Sequence, residues 1–262
     1  MRWIVRAGLL VLVLVLLGVG ALALIPSERV AALLSAQFET MTGRKMELSG
    51  EVSPRIWPSL GITTGPVSIA NADWAESKAP LFQAASLSVD INLGALLGGE
   101  VRILGVEADA PVINLERSKD GKANWDFGAG ETEGEVPGAA TAFTLDEGTI
   151  QGGSLRFNDR QAGRLIALDD LDATLQVPDF SGPFVLSAKG LSGGQPVALD
   201  LSGDVFSAFI AGRVVPVSLA LTAGGSSVGF EGRAGVSPAV AEGALTADLD
   251  DLPALGALAG AT

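Results

Sequence analysis

The chain has 262 residues, of which 48% are hydrophobic and 18% charged, and it carries a formal net charge of −13 with no Cys, His or Tyr. Without Cys there is no disulfide, thiolate nucleophile or thiolate metal site, and without His the commonest general base and metal ligand are missing. Residues 1–128 carry 11 basic and 13 acidic residues and residues 129–262 carry 6 and 17, so no basic face for nucleic acid is visible.

Ala7 to Ile25 is an uninterrupted apolar run rich in Leu and Val, preceded by Arg2 and Arg6 and followed by Pro26. At 1.5 Å per residue it is long enough to cross a bilayer core as a helix. The basic flank places the N-terminus in the cytoplasm and the rest of the chain outside it. The rival reading is a cleaved signal peptide with Ala21-Leu22-Ala23 as its small-residue site, although a signal core is usually shorter. Either way the remainder is exported. A helix is predicted from Ser27 to about Thr42, capped by Ser27, with Val30, Leu33, Leu34, Phe38 and Met41 at helical spacing and Gly43 as its stop. Its apolar face either packs on the sheet that follows or lies at the membrane interface.

Short strands are predicted next, over Arg44–Val52 and Gly65–Asn71. From Ala85 to Leu93 the alternation is strict: Ala85, Leu87, Val89, Ile91 and Leu93 are apolar, and Ser86, Ser88, Asp90 and Asn92 are polar. A strand sends successive side chains to opposite faces, so this one has an apolar and a wet face. Strands Val101–Glu107 and Val112–Arg117 follow, then a tight turn of the hairpin type at Asp120-Gly121 and the segment Asn124-Trp125-Asp126-Phe127. The Trp125 ring is expected to pack beside that turn. Residues 129–140 are Gly-rich and acidic, without periodicity, and read as a linker. Alternation returns around Leu155–Phe157, Leu171–Val177, Val197–Leu201, Val215–Leu221 and Leu245–Leu249, with Gly-Gly turns at 193–194 and 224–225 and a short helical start after Leu252. Four segments result: an anchor (1–26), a first β region with a short helix (27–128), the linker (129–140) and a second β region (141–262).

Every strand has an apolar face, yet few helices are available to cover it. Such a face must meet another sheet, a helix or a ligand. Periodicity leaves two folds open: a β-sandwich with a dry core, or one long twisted antiparallel sheet curled into an aliphatic groove suited to acyl chains. In the groove reading Leu87, Val89, Ile91, Leu93, Val101, Ile103, Ile113 and Leu115 form the lining.

Catalytic chemistry has little support. Asp169, Asp170 and Asp172, and Asp248, Asp250 and Asp251, do not have the spacing of a calcium loop. Asp146 and Glu147 with Asp159 are not distinguished from other carboxylates as a glycosidase pair. Ser154 and Ser227 have no His to activate them. The chain therefore reads as a non-enzyme, with no catalytic residue, no metal ligand and no cofactor assigned.

The order of features resembles the N-terminal part of the AsmA family of bacterial envelope proteins. The pieces that carry the likeness are the anchor, Thr40-Met41-Thr42-Gly43-Arg44, Ile56-Trp57-Pro58-Ser59-Leu60-Gly61, Val67-Ser68-Ile69-Ala70-Asn71 and the strand Ala85–Leu93 with Leu96-Leu97-Gly98-Gly99. Ala110-Pro111-Val112-Ile113 and Asp120-Gly121-Lys122-Ala123-Asn124-Trp125 follow. Gly152-Gly153-Ser154-Leu155-Arg156-Phe157 and Leu168-Asp169-Asp170-Leu171 complete the set. The resemblance implies an inner-membrane protein, single-pass with its bulk in the periplasm, that serves outer-membrane assembly. It also implies a chorein-like repeating β-groove that carries glycerophospholipid. Implied partners are the inner membrane through residues 7–25, phospholipid and other envelope proteins. The alternative role is an assembly factor with a dry β core and no lipid cargo. Members of this family are usually much longer than this chain.

Overall fold

The computed structural model describes residues 27–55, 59–92, 94, 102–126, 144–236 and 239–258. The expected anchor (1–26) and linker (129–140), and the lining candidates Leu93 and Val101, lie outside the described residues. Among the described residues no helix is long and apolar enough to cross a membrane.

The fold is mainly β. Helix α1 (Ser27–Thr42) leads into a single sheet of fifteen strands, β1 (Met46–Leu48), β2 (Val52–Arg55), β3 (Leu60–Thr64), β4 (Val67–Ile69), β5 (Phe82–Ala84), β6 (Ser86–Ile91), β7 (Ile103–Asp109), β8 (Val112–Arg117), β9 (Leu145–Asp159), β10 (Arg164–Val177), β11 (Phe184–Ser192), β12 (Gln195–Gly203), β13 (Val215–Ala223), β14 (Ser226–Val236) and β15 (Ala239–Asp248). Short helices α2 (Phe206–Ile210) and α3 (Leu252–Leu258) follow β12 and β15. From β9 to β15 the sheet is an antiparallel meander in chain order. Before β9 it forks: β7, β6, β3 and β2 continue from the first half of β9, and β8, β5, β4 and β1 from its second half. Helix α1 packs against β1 and β2 at that end of the sheet, as one of its two sequence readings required.

The fork is a crease. β1 and β2 are one strand bent near Gly50, β3 and β4 one bent at Gly65-Pro66, β5 and β6 one bent at Ala85, and β7 and β8 one bent at Ala110-Pro111. Backbone pairing crosses it intact: Ala85 N–H donates to Asp109 O (2.9 Å), Ala110 N–H to Gln151 O (2.8 Å) and Ser154 N–H to Pro111 O (2.7 Å). β9 and β10 pass the same line through bulges. Gly152 there has φ +59° and Asp170 has φ +48°, and the β9–β10 register shifts between Leu168 and Leu171. An extra residue at a bulge restores the side-chain parity that a plain bend would not need. Leu168 thus stays on the face of Leu171 and Ala173 and packs against Val197 and Ala223. Without the bulge it would share the wet face with Asp172 and Thr174.

Two sequence expectations are corrected. The sheet is mixed, because β7 and β8 pair with β9 in parallel. Residues 118–144 separate β8 from β9 in the chain, and a parallel pair needs a connection of a dozen or more residues where a hairpin needs two. The sandwich is replaced by one sheet. The Asp120-Gly121 turn is present: Gly121 has φ +82°, its N–H donates to Ser118 O (3.0 Å), and Ser118 N–H donates to Lys122 O (2.8 Å). A β-branched residue is strained in that left-handed region, so Gly121→Val is expected to lower stability by about 1–3 kcal/mol. Thermal unfolding measures this, and an unchanged midpoint would contradict the turn geometry.

Candidate functional site

Cross-strand register turns the alternation of single strands into continuous rows. Ile62 pairs with Val89, Val89 with Val106, Val106 with Gly148, and Gly148 with Leu175. The row runs on through Leu186, Leu201, Leu219, Phe230 and Leu245. A second row beside it starts at Leu87 and passes Ala108, Ile150, Ala173, Ala188, Leu199, Leu221, Val228 and Ala247. The opposite face is wet along the same strands, with Thr63, Ser88, Glu107, Thr149, Thr174, Ser187 and Asp200 in register. Two contacts in that wet row are explicit: Thr63 Oγ1 and Ser88 Oγ lie 3.1 Å apart, and Ser187 Oγ donates to Asp200 (2.7 Å).

Helices α2 and α3 each cover one end of the apolar face. At one end of the strands α2 covers Phe184, Val177 and Leu145, with Phe184 stacked on Phe206 (centroids 5.5 Å apart) and Phe209 (4.7 Å). The start of α2 is held by Phe206 N–H donating to Gly182 O and Ser207 N–H to Phe180 O, both at 2.9 Å. At the other end α3 covers Val197 and Ala223 with Ala254 and Leu255. Asp251 caps α3 by accepting the Ala254 N–H (3.1 Å). Between these covers the rows are only partly covered: Val106, Leu175, Leu201 and Phe230 also pack against the clusters that α2 covers, and Ala108 is buried. Val89, Val106, Leu175, Leu186, Leu201 and Leu219 are all half-buried, and Leu245 is 69% exposed. The first row crosses ten strands. Nine steps of about 4.8 Å make roughly 43 Å.

Beside α2 the apolar face holds a cavity of about 400 Å³, lined by Leu201, Phe209, Val217, Leu219, Phe230 and Ala234 and by the exposed Arg213. That volume lies in the range of small-ligand sites, which are mostly apolar with few polar groups. A larger depression of about 540 Å³ sits over Ser202, Ser218, Glu231 and Arg233, residues of the wet face.

Of the lining residues expected from the sequence, Leu87 and Val89 stand in the two rows, opposite Ala108 and Val106. Ile91 pairs with Ile103 one step toward the row that α2 covers farther along. Ile113 and Leu115 lie beyond the crease, opposite Leu155 and Phe157. There the surface is occupied by the chain itself: Trp125 stacks edge-on against Phe157 at 5.8 Å, and the Arg117 guanidinium lies 5.9 Å from both rings. Most of the row lies outside that set, from Leu175 onward. Its signal was present as alternation in Leu175–Val177, Leu199–Leu201 and Leu219–Leu221, but register is needed to join those strands.

The acidic groups serve the fold. Asp169 pairs with Arg156 (2.6 Å), Asp146 with Arg102 (2.9 Å) and Asp172 with Lys189 (3.5 Å), while Asp172 also accepts the Gly152 N–H at the crease (2.9 Å). Asp159 is only 2% exposed and accepts N–H bonds from Gln161 (3.1 Å) and Ala162 (3.0 Å). The Ala162 N–H above all, then the Arg117 and Arg164 guanidinium groups, hold its carboxyl below the ordinary value of 3.8 against the opposing effect of burial. A depressed carboxyl stabilises the fold above its unfolded value and loses that contribution as pH falls through the folded one. Wild type is therefore expected to be more stable than Asp159→Asn at neutral pH, with the gap closing below about pH 4. Urea unfolding across that window measures it, and a gap independent of pH would contradict the assignment. Asn124 is fully buried beside this region, donating to Asn71 Oδ1 (2.9 Å) and Asn114 O (2.8 Å) and accepting from Glu116 N–H (2.9 Å).

The class of protein is a mainly β one: a single long twisted mixed sheet with few helices, wet on one face and bearing two apolar rows on the other. The sequence model of the AsmA family matches residues 2–212, and the chain belongs to that family. No curated protein and no solved structure matches it. The apolar rows continue without a break through β13, β14 and β15, beyond the matched residues.

Proposed function

We propose that this protein binds glycerophospholipid along the apolar rows and conducts it through the bacterial envelope, without catalysing a reaction on it. The observation that carries the reading is the apolar row from Ile62 to Leu245, continuous over ten strands, half-buried along most of its length and exposed at Leu245. A partly exposed apolar surface of such extent is unusual on a protein without a partner for it. One acyl chain occupies about 15 Å, half of a bilayer's hydrocarbon core, so the channel accommodates a chain with room to advance. Aliphatic walls bind such chains with little shape selectivity, which suits a carrier. The wet outer face keeps the other side of the sheet in water. In this reading residues 7–25 hold the protein in the inner membrane, the N-terminus is cytoplasmic, and the sheet stands in the periplasm in the service of outer-membrane assembly.

The test is extraction of the full chain from membranes in mild detergent, followed by native mass spectrometry. Co-purifying phospholipid at defined stoichiometry is expected. A protein free of lipid would favour the alternative role, an assembly factor whose apolar face is covered by other envelope proteins.

A further inference from the structure

We propose that Arg213 is the headgroup contact of the groove, binding the phosphate of a glycerophospholipid whose acyl chain lies in the cavity beside α2. The inference rests on the lipid-binding reading above and names a site within it.

Charge singles this residue out. Residues 129–262 hold six cations against seventeen carboxylates. Arg156, Arg160, Arg164 and Lys189 are each within ion-pair distance of a named carboxylate. Arg213 and Arg233 have no ion pair among the described residues. Arg233 lies on the wet face beside Ser202 and Glu231. Of these cations Arg213 alone lines the apolar cavity, together with Phe209, and it is exposed to water. A guanidinium left without a carboxylate in so acidic a region is available to an anion, and its planar fork fits phosphate oxygens in pairs.

The backbone fixes its position. Arg213 N–H donates to Ala208 O (2.9 Å), and Gly212 before it turns the chain at φ +70°. Gly235 lies against the same segment: a Cβ there would come within 2.8 Å of Arg213 C and 2.7 Å of Val214 N. The Arg213 backbone is therefore clamped between α2 and β14, and only the side chain is free to reach an incoming group. The arrangement of an apolar cavity with one cation at its rim matches an amphiphile with a single anionic headgroup. Residue 213 falls just past the residues that the family model matches.

The experiment measures binding of two fluorescent lipids with equal acyl chains, phosphatidylglycerol and a neutral diacylglycerol, to the detergent-solubilised full chain. Arg213→Ala is expected to bind phosphatidylglycerol about tenfold more weakly, the loss of one charge-assisted hydrogen bond. Diacylglycerol binding should be unchanged, and Arg213→Lys should recover part of the loss. Because the side chain is exposed, thermal unfolding of the variants should match wild type, and a lowered midpoint directs the reading to Arg213→Lys. Equal loss for both lipids, or none for either in the alanine variant, overturns the headgroup assignment while the groove stands. Wild type that binds neither lipid overturns the groove itself, and the assignment with it.

Discussion

Phe184→Ala is expected to destabilise the protein by about 3–5 kcal/mol, the usual cost of removing a buried phenyl ring. Phe184 is 2% exposed and sits at the centre of the cluster that joins Leu145 and Val177 to Phe206 and Phe209. Deleting it removes the contact surface of α2 and the stacking of three rings, and aromatic pairs contribute beyond their area. The sheet beneath cannot close the space, because neighbouring strands are held at fixed hydrogen-bonded spacing. Urea unfolding reads the loss as a lower midpoint. A midpoint within error of wild type would mean that α2 does not cover this end of the apolar face.

Val89→Asp is expected to do the opposite: to leave the fold nearly intact and abolish lipid binding at that point of the row. Val89 lies on the same face as Phe184 but outside the clusters that the helices cover, half-buried between Ile62 and Val106. A carboxylate there reaches water, so the folding cost should be roughly 1 kcal/mol, as at other partly exposed positions. In a dry core the same unpaired charge would cost several kcal/mol. On the proposed path acyl chains pass over this position, and a charge in an aliphatic path has no partner in them. Unfolding and lipid content measured on one preparation separate the two effects. A variant that is folded and carries lipid as wild type does would remove β6 from the path.

The contrast between these positions marks what the sequence could and could not convey. Alternation in Ala85–Leu93 and Val215–Leu221 was enough to assign strands with an apolar face, since the side-chain period of a strand is two. β11 and β14 were passed over for physical reasons. In β11 Val185, an apolar residue, faces outward at 46% exposure. In β14 Gly229, Gly232 and Gly235 thin the pattern. Which strand ends are covered depends on α2 and α3; the helical start after Leu252 was legible in the sequence, whereas α2, five residues long, is too short to show a periodicity. The parallel joint at β9 and the non-glycine turns at Ala110 and Asp170 depend on tertiary pairing and have no local signature. A dozen to fifteen strands side by side would span about 60–70 Å. Eight of the fifteen strands are halves of bent ones, so the longest path across the sheet counts eleven, β1 to β15 through β9. Ten steps come to about 48 Å before twist.

The most direct test of the groove is a photo-crosslinking walk in living cells. A photoreactive amino acid is placed one site at a time at Val89, Val106, Leu175, Leu186, Leu201 and Leu219, and in parallel at the wet-face positions Ser88, Glu107, Thr174 and Ser187. Phospholipid adducts are then scored by mass spectrometry of the purified protein. Adducts at every position of the apolar row, and at none of the wet-face positions, are the expected result. Adducts on both faces alike, or on neither, would contradict a lipid path along this sheet.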